Sequence, residues 1–198
     1  MRRVLVLATG NRHKAREILR ILGKTPFRVR LMSEYPGVKS ATEDGKTLRQ
    51  NAVKKALSCA AATGELSLAD DTGLEVKALH GRPGVYSARF AGPGCGYDDN
   101  NRKLLRLLSG SPRRSAAFRC VAALARPRGR IWCAQGLLRG RIAELPRGRF
   151  GFGYDPVFEV LSLKKTLAEL GPSEKNRISH RAQAFRKMRK ILKNYIGA

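Results

Sequence analysis

The order of apolar and polar residues along the chain predicts alternating strands and helices. Residues 4–8 form a continuous apolar run, which is typical of a strand buried on both faces. A glycine turn follows, and residues 14–22 then place apolar side chains at the spacing of an amphipathic helix that Gly23 ends. The same reasoning predicts strands at 28–31 and 66–76, a hairpin of strands 116–125 and 130–139, and helices from 47 to about 62, at 97–109 and from 179 to about 195.

Two adjacent acids, Asp70 and Asp71, lie inside the predicted strand 66–76. Neighbouring strand residues point to opposite faces of a sheet. The two carboxylates therefore cannot both belong to an apolar core, and at least one should meet solvent, a metal or a cation. The alternative is a turn in which residues 71–73 bend the chain between two strands. The local pattern leaves both interpretations open.

The turn Thr9-Gly10-Asn11 connects the first strand to the first helix, and Lys14 falls in that helix's first turn. A helix that starts after a strand and a glycine offers backbone N–H groups and the positive end of its dipole to an anion. These residues are therefore candidates for binding phosphate. An ordinary strand–helix turn is the alternative.

Glu43 and Asp44 precede the helix that begins near Thr47, which with Gln50 predicts a capping box. Negative charge at a helix N-terminus is favoured by the helix dipole, which explains both acids without any function. The functional alternative is a metal ligand that approaches Asp70 and Asp71.

Glycines and aromatic residues alternate late in the chain, at 150–154, and Asp155 follows them. A purine base could stack on such a segment, with Asp155 available to accept a hydrogen bond or fix a neighbour. An RNA-binding surface is the rival interpretation, although such surfaces usually carry several aromatics on one sheet face. Ser179 is the expected cap of the last helix, so His180 and Arg181 would lie in its first turn, where an anion or a base edge could bind.

The composition narrows the class of protein. The net charge of +25 favours polyanionic partners. No apolar run reaches the roughly 18 residues of a membrane span, and the run at 4–8 is too short for a secretory signal. The four cysteines form no Cys-x-x-Cys pair. We therefore expect a cytoplasmic protein with reduced thiols and no membrane partner, whose residues 1–198 form a single domain with two lobes.

Several short motifs occur in a fixed order. They are Thr9-Gly10-Asn11-x-x-Lys14, Glu43-x-Gly45-x-Thr47 with Asn51-Ala52 and Lys55-Ala56, Ala69-Asp70-Asp71-Thr72-Gly73-Leu74, Gly84-Val85-Tyr86-Ser87-Ala88-Arg89, Gly151-Phe152-Gly153-Tyr154-Asp155-Pro156 and Ser179-His180-Arg181. In this order they resemble the inosine triphosphate pyrophosphatase family, the dITP/XTP pyrophosphatases that remove deaminated purine nucleotides. The similarity extends over nearly the whole chain.

The resemblance implies a fold and a reaction. The fold is α/β, with a long curved mixed sheet flanked by helices and an active-site cleft between two lobes. The reaction is the Mg²⁺-dependent hydrolysis of ITP, dITP and XTP to the monophosphate and pyrophosphate, which cleanses the nucleotide pool. Members are usually homodimers.

The resemblance also implies a role for each matching residue. Asp71 would be either the proton acceptor or a metal ligand, and Asp70 would assist it. Glu43 and Asp71 would hold Mg²⁺, and Thr72 takes the position of the family's usual serine. The substrate-binding residues would be Thr9, Gly10, Asn11, Lys14, Thr72, Phe152, Gly153, Tyr154, Asp155, Lys175, His180 and Arg181.

Two rival functions remain. The charge alone would suit a nucleic-acid-binding module, but acids beside a phosphate site would repel a nucleic-acid backbone, so we expect nonspecific association at most. A pyrophosphatase acting mainly on other modified or pyrimidine nucleotides is the second. Asp44 stands where the family usually has threonine and could alter metal affinity.

Overall fold

The computed structural model describes residues 3–196, which form eight strands and five helices. Every predicted strand and helix is present, with ends that differ by at most three residues. Four short elements were not predicted, because runs of two to seven residues carry too little periodicity. The strands are β1 (Val4–Leu7), β2 (Arg28–Leu31), β3 (Leu66–Val76), β4 (Pro83–Gly84), β5 (Ser115–Ala125), β6 (Ile131–Ile142), β7 (Phe158–Val160) and β8 (Lys165–Thr166). The helices are α1 (Arg12–Leu22), α2 (Leu48–Thr63), α3 (Tyr97–Leu107), α4 (Pro172–Ile178) and α5 (His180–Ile196).

The strands form one mixed sheet in the order β2-β1-β3-β5-β6-β7-β8, with β4 paired to β3. Strand β1 runs parallel to both β2 and β3, whereas β4 pairs with β3 and β7 pairs with β6 and β8 in antiparallel fashion. Strands β5 and β6 are neighbours joined by a short turn, which confirms the predicted hairpin. The predicted α/β class, with a mixed sheet flanked by helices, is therefore confirmed.

The chain forms two compact units. The first contains residues 1–71, 120–136 and 181–198, and the second contains 72–119 and 137–180. Each has its own apolar core. Side chains of β1, α1, β3 and α5 build the first core, which includes Leu5, Leu68 and Phe185. In the second, Leu74, Leu104 and Phe158 are central.

Local signals fix the two helices that carry much of the candidate chemistry. Asn11 begins α1 by accepting hydrogen bonds from the backbone N–H groups of His13 and Lys14, at 3.0 and 3.1 Å. Helix α2 begins with the predicted capping box, in which Thr47 and Gln50 exchange hydrogen bonds of 3.0 and 3.1 Å. These caps fix the residues at which α1 and α2 begin.

Candidate active site

The adjacent acids Asp70 and Asp71 lie within a continuous strand, β3, and only 1% and 4% of their surfaces are exposed. The alternative of a turn at residues 71–73 is therefore wrong, because β3 continues to Val76. The expectation that at least one acid meets a cation is confirmed for both. Opposite orientation along the strand gives each carboxylate its own set of partners.

Asp70 contacts two cations within the first unit. Lys14 Nζ of α1 lies 3.2 Å from its Oδ2, and Arg181 Nη2 of α5 lies 3.5 Å from the same oxygen. Arg181 is only 2% exposed and also donates to Glu17. Burial alone would lower the pKa of Arg181, but the carboxylates of Asp70 and Glu17 raise it overall. Helices α1 and α5 are thus joined to the strand through charged groups.

Asp71 is held by α2. Lys55 Nζ lies 3.2 Å from Oδ1 of Asp71 and 2.7 Å from Oε1 of Glu43. Asn51 Nδ2 donates to the other oxygen, Oδ2, at 3.2 Å, and Asn51 Oδ1 accepts from the N–H of Gly45 at 2.8 Å. Burial raises the pKa of Asp71, and the neighbouring Lys55 charge opposes that rise. Lys55 is therefore the main counter-charge of this carboxylate.

Lys55 also shows how the acids act together. Burial by itself would lower the pKa of its ammonium, but the carboxylates of Asp71, Asp70 and Glu43 raise it. The neighbouring pair of Lys54 and Asp44, at 2.7 Å, is largely exposed, and it joins α2 to the segment that precedes the helix. Asp44, the departure from the family pattern, is thus bound to its own lysine.

The residues predicted to hold Mg²⁺ are compatible with that ion. Glu43 and Asp71 both direct carboxylate oxygens at the ammonium of Lys55, so the cation that lies between them in this structure is a lysine side chain. Within residues 3–196 no group of three or more His, Cys, Asp or Glu side chains could hold a metal ion. Mg²⁺ often takes only one or two carboxylates and obtains its other oxygens from water and phosphates. Two carboxylates therefore fit Mg²⁺ when a phosphate and water supply the remaining oxygen ligands.

The turn at Thr9-Gly10-Asn11 is built as a helix start. Thr9 Oγ1 accepts from the N–H of Asn11 at 3.2 Å, and the Asn11 side chain caps α1. Gly10 is exposed. The predicted phosphate turn therefore has an exposed apex, with Lys14 fixed one helical turn away against Asp70.

In the second unit, Asp155 and Lys175 form a buried ion pair, 4% exposed at both side chains, with Nζ 2.5 Å from Oδ2. The same oxygen accepts from the backbone N–H of Phe152 at 2.8 Å. Lys175 Nζ lies 4.9 Å from the centre of the Phe152 ring, a cation–π contact. The structure therefore brings together three of the residues predicted to bind the base.

The two aromatic residues of this segment have different surroundings. The Phe152 ring is partly exposed and lies 5.9 Å from the ring of Tyr97 on α3. Tyr154 belongs to the second core, is 5% exposed, and donates its hydroxyl to the carbonyl of Ser87 at 2.9 Å. Phe152 thus offers the accessible ring face, and Tyr154 anchors the segment.

The remaining predicted site residues belong to the second unit. His180, the first residue of α5, is 2% exposed and stacks on Phe118, with ring centres 4.5 Å apart. Ser179 is buried between α4 and α5, and its role as the cap of α5 stays a prediction. Gly153 accepts a hydrogen bond at its carbonyl from Asn101, at 3.0 Å. Thr72 continues β3 and is partly buried.

Sequence reasoning did not assign a role to several residues that contact the predicted ones. Lys55 and Asn51 stood in the quoted motifs, and their spacing of four on a helix was the available signal. Glu17, Tyr97 and Asn101 carried no such signal, because their contacts are made between segments distant in sequence.

The mixed sheet, the helices that flank it and the buried carboxylates of β3, which are paired with lysines of α1 and α2, define an α/β protein with a charged cluster on one strand. The chain belongs to the Ham1 family, whose model matches residues 5–191. The predicted resemblance is thereby confirmed.

Known proteins similar to this chain give the same result. A relative from Desulforamulus reducens named dITP/XTP pyrophosphatase is 52% identical over 190 residues, which cover 95% of this chain and 94% of that protein. The solved structure of a HAM1 protein from Coxiella burnetii has a TM-score of 0.90 at 39% identity, covering 97% of this chain and 99% of that one. A Mycobacterium abscessus structure described as a nucleoside-triphosphatase / dITP/XTP pyrophosphatase has a TM-score of 0.77 at 37% identity, with coverage of 93% and 98%. The chain is therefore an enzyme of the hydrolase class, as predicted.

In the part of the chain that the structure describes, no helix combines the length and apolar character needed to cross a membrane.

Proposed function

We propose that this protein hydrolyses deaminated purine nucleoside triphosphates, ITP, dITP and XTP, to the monophosphate and pyrophosphate, and so cleanses the nucleotide pool. The observation that carries the proposal is the buried Asp71 carboxylate, fixed by Lys55 and Asn51 beside Glu43. The names of the family's relatives support the same reaction.

In the proposed reaction, water adds across the anhydride linkage between the α- and β-phosphates. One phosphorus–oxygen bond forms to the water oxygen, the bridging bond breaks, and pyrophosphate leaves. Asp71 either accepts the proton of that water or holds the metal, and the two roles are alternatives for one carboxylate. Its raised pKa suits a base better than an ordinary aspartate would, because proton affinity is higher.

Glu43 and Asp71 would hold Mg²⁺. When bound, this ion would neutralise charge on the phosphates and orient the attacking water. Lys14, Thr9 and Gly10 would bind the phosphate chain, since the exposed start of α1 offers N–H groups and the lysine a positive charge. Arg181 and Asp70 would hold Lys14 and α1 in place through their own contacts.

The base would lie against Phe152 in the second unit. Hypoxanthine and xanthine carry an oxygen at position 6, which a donor such as Lys175 can satisfy, whereas adenine carries an amino group there. A buried donor left unpaired costs about 1–3 kcal/mol. This corresponds to a preference of roughly 5- to 150-fold in kcat/KM over adenine nucleotides.

The experiment is turnover of ITP, XTP and ATP with Mg²⁺, with pyrophosphate and orthophosphate measured separately. We expect pyrophosphate as the first product and a higher kcat/KM for ITP and XTP. The variant Asp71→Asn should lose turnover while its thermal transition stays cooperative. Asp98→Asn, which removes an exposed acid from α3, is the matched control and should stay active.

Orthophosphate as the first product, or full activity of Asp71→Asn, would refute this mechanism. Highest kcat/KM on pyrimidine or other modified nucleotides would support the rival substrate class instead. Activity that survives complete removal of divalent cations would exclude the metal role of Glu43.

The protein's assembly and location are also proposals. On the resemblance, we propose a homodimer, and we also propose that it is located in the cytoplasm. Light scattering of the full chain would test the dimer. The net charge of +25 supports nonspecific nucleic-acid association at most, which should disappear as the salt concentration is raised.

A further inference from the structure

A pocket in the first unit is lined by residues that do not belong to the candidate active site. Its volume is about 710 Å³, within the range of roughly 300–1,000 Å³ that is usual for small-molecule sites. We call it the Trp132 pocket. Its lining includes Arg3, Arg126, Arg130, Trp132, Asn194 and Tyr195.

The aromatic residues of the Trp132 pocket hold its arginines. The guanidinium groups of Arg3 and Arg126 each lie 5.7 Å from the centre of the Tyr195 ring, and that of Arg130 lies 5.6 Å from Trp132. The two rings meet edge to face at 5.7 Å. A cation–π contact uses the face of a ring, so the guanidinium N–H groups can still donate to a ligand. One N–H of Arg3 donates to the carbonyl of Tyr195 at 3.5 Å.

None of the residues that line the pocket in the described part of the chain is acidic. Within residues 3–196, none of the pocket's three guanidinium groups forms an ion pair with a carboxylate, whereas Arg141 and Arg147 of the second unit are each paired with Glu159. Three like charges around one concave surface repel each other, and an anion bound among them would remove that repulsion. The charges that line the pocket therefore favour an anionic ligand.

We propose that the Trp132 pocket binds the phosphate chain of a compact oligophosphate, either an inorganic one or the tail of a nucleotide. Arginine forks match phosphate oxygens in pairs, and three of them suit a ligand with several adjacent negative charges. Both rings already carry guanidinium groups, which disfavours base stacking of the kind that holds single-stranded nucleic acid. A concave pocket also suits a compact ligand better than an extended strand.

Trp132 is the only tryptophan in the sequence, so its fluorescence reports on this pocket directly. Sodium tripolyphosphate, which does not absorb at the wavelengths used, would be titrated into the full-length protein without divalent cations. We expect a saturable fluorescence change that weakens as salt is added. Arg126→Gln should weaken the affinity at least tenfold and leave turnover at saturating substrate unchanged.

Two control variants separate this site from its surroundings. Arg128→Gln removes an exposed charge from the same turn without touching the pocket lining and should change the affinity less than twofold. Lys14→Gln, which alters the candidate active site, should leave the fluorescence titration unchanged. Adenosine triphosphate would then distinguish the ligand sources: equal affinity to tripolyphosphate indicates that only the phosphate chain is bound, and tighter affinity indicates a nucleotide.

The proposal is overturned if tripolyphosphate produces no saturable change, or if Arg126→Gln binds as tightly as the unmodified protein. Loss of the signal in Lys14→Gln would also overturn it, because Trp132 would then report on the active site. Binding of a single-stranded oligonucleotide without binding of tripolyphosphate would replace the compact ligand by nucleic acid. None of these outcomes depends on the proposed hydrolysis.

Discussion

Lys55 and Lys54 are adjacent on α2 and both contact acids, but only Lys55 is buried. The side chains of Lys55 and Asp71 are 10% and 6% exposed, whereas those of Lys54 and Asp44 are 45% and 63% exposed. Removing one member of a buried ion pair leaves an uncompensated charge and costs about 3–5 kcal/mol. We expect Lys55→Met to lie near the lower limit, because Asn51 still donates to Asp71.

A loss of about 3 kcal/mol in a chain of this length corresponds to a fall in Tm of roughly 6–12 °C. Lys54→Met, the matched control, breaks an exposed pair worth at most about 1 kcal/mol and should lower Tm by no more than about 4 °C. Thermal unfolding of both variants at pH 7, followed by circular dichroism, would measure this difference.

Activity gives a second readout of the same change. The Lys55 charge lowers the pKa of Asp71, so its removal raises that pKa further. The carboxylate then keeps its proton to higher pH, and the acid limb of kcat/KM should move upward in Lys55→Met but not in Lys54→Met. Equal Tm values for the two variants, together with an unmoved acid limb, would refute the assignment of Lys55 as the counter-charge.

Three further predictions follow from single contacts. A Cβ at Gly45 would stand 2.6 Å from Asn51 Oδ1, so Gly45→Ala should displace the Asn51 amide from Asp71 and lower kcat/KM about tenfold. The control Gly171→Ala, whose new Cβ would have its nearest contact at 3.8 Å, should leave kcat/KM unchanged. Unchanged kinetics in Gly45→Ala would contradict the role of Asn51 in positioning Asp71. Tyr154→Phe leaves the Ser87 carbonyl without its buried donor and should lower the free energy of unfolding by about 1–3 kcal/mol, measured by urea denaturation. If the free energy of unfolding did not fall, a water molecule would have to donate to that carbonyl in place of the hydroxyl. Hydrogen bonds from Arg141 and Arg147 lower the pKa of Glu159 below its ordinary value. The contribution of Glu159 to stability is therefore present above about pH 4.3 and is lost as the pH falls through the lower pKa of the folded state. The Tm difference between the unmodified protein and Glu159→Gln should shrink on acidification, and a difference that grows would contradict this prediction.

The elements predicted from sequence were those specified by neighbouring residues. Thr47 with Gln50 fixes the start of α2, and Gly23 with a positive φ ends α1. Strand β3 was also predicted, and the structure confirms that Asp70 and Asp71 contact cationic side chains. The partners themselves were harder to predict, because Arg181 reaches Asp70 across 111 positions and Glu17 across 164.

The burial of each aromatic residue in the segment 150–154 likewise could not be predicted from neighbouring residues. Phe152 and Tyr154 are equally good stacking residues in sequence, but only the fold decides which ring enters the core. The Ser87 carbonyl, 67 positions away, takes the Tyr154 hydroxyl, and Asn101 holds the intervening glycine. Such choices depend on distant segments and not on residue type.

The arrangement of the two compact units has a consequence for how the chain can be cut. The chain passes between them four times, at 71/72, 119/120, 136/137 and 180/181. Neither unit is a continuous stretch, so no truncation can yield one of them alone. The first passage immediately follows Asp71 and the last immediately precedes Arg181, so an inserted loop at either point would adjoin a residue of the candidate active site. Arg128 and Gly129, in contrast, are exposed, lie inside a single unit and do not line the Trp132 pocket, so the bond between them is the natural place for a tag or a circular-permutation break.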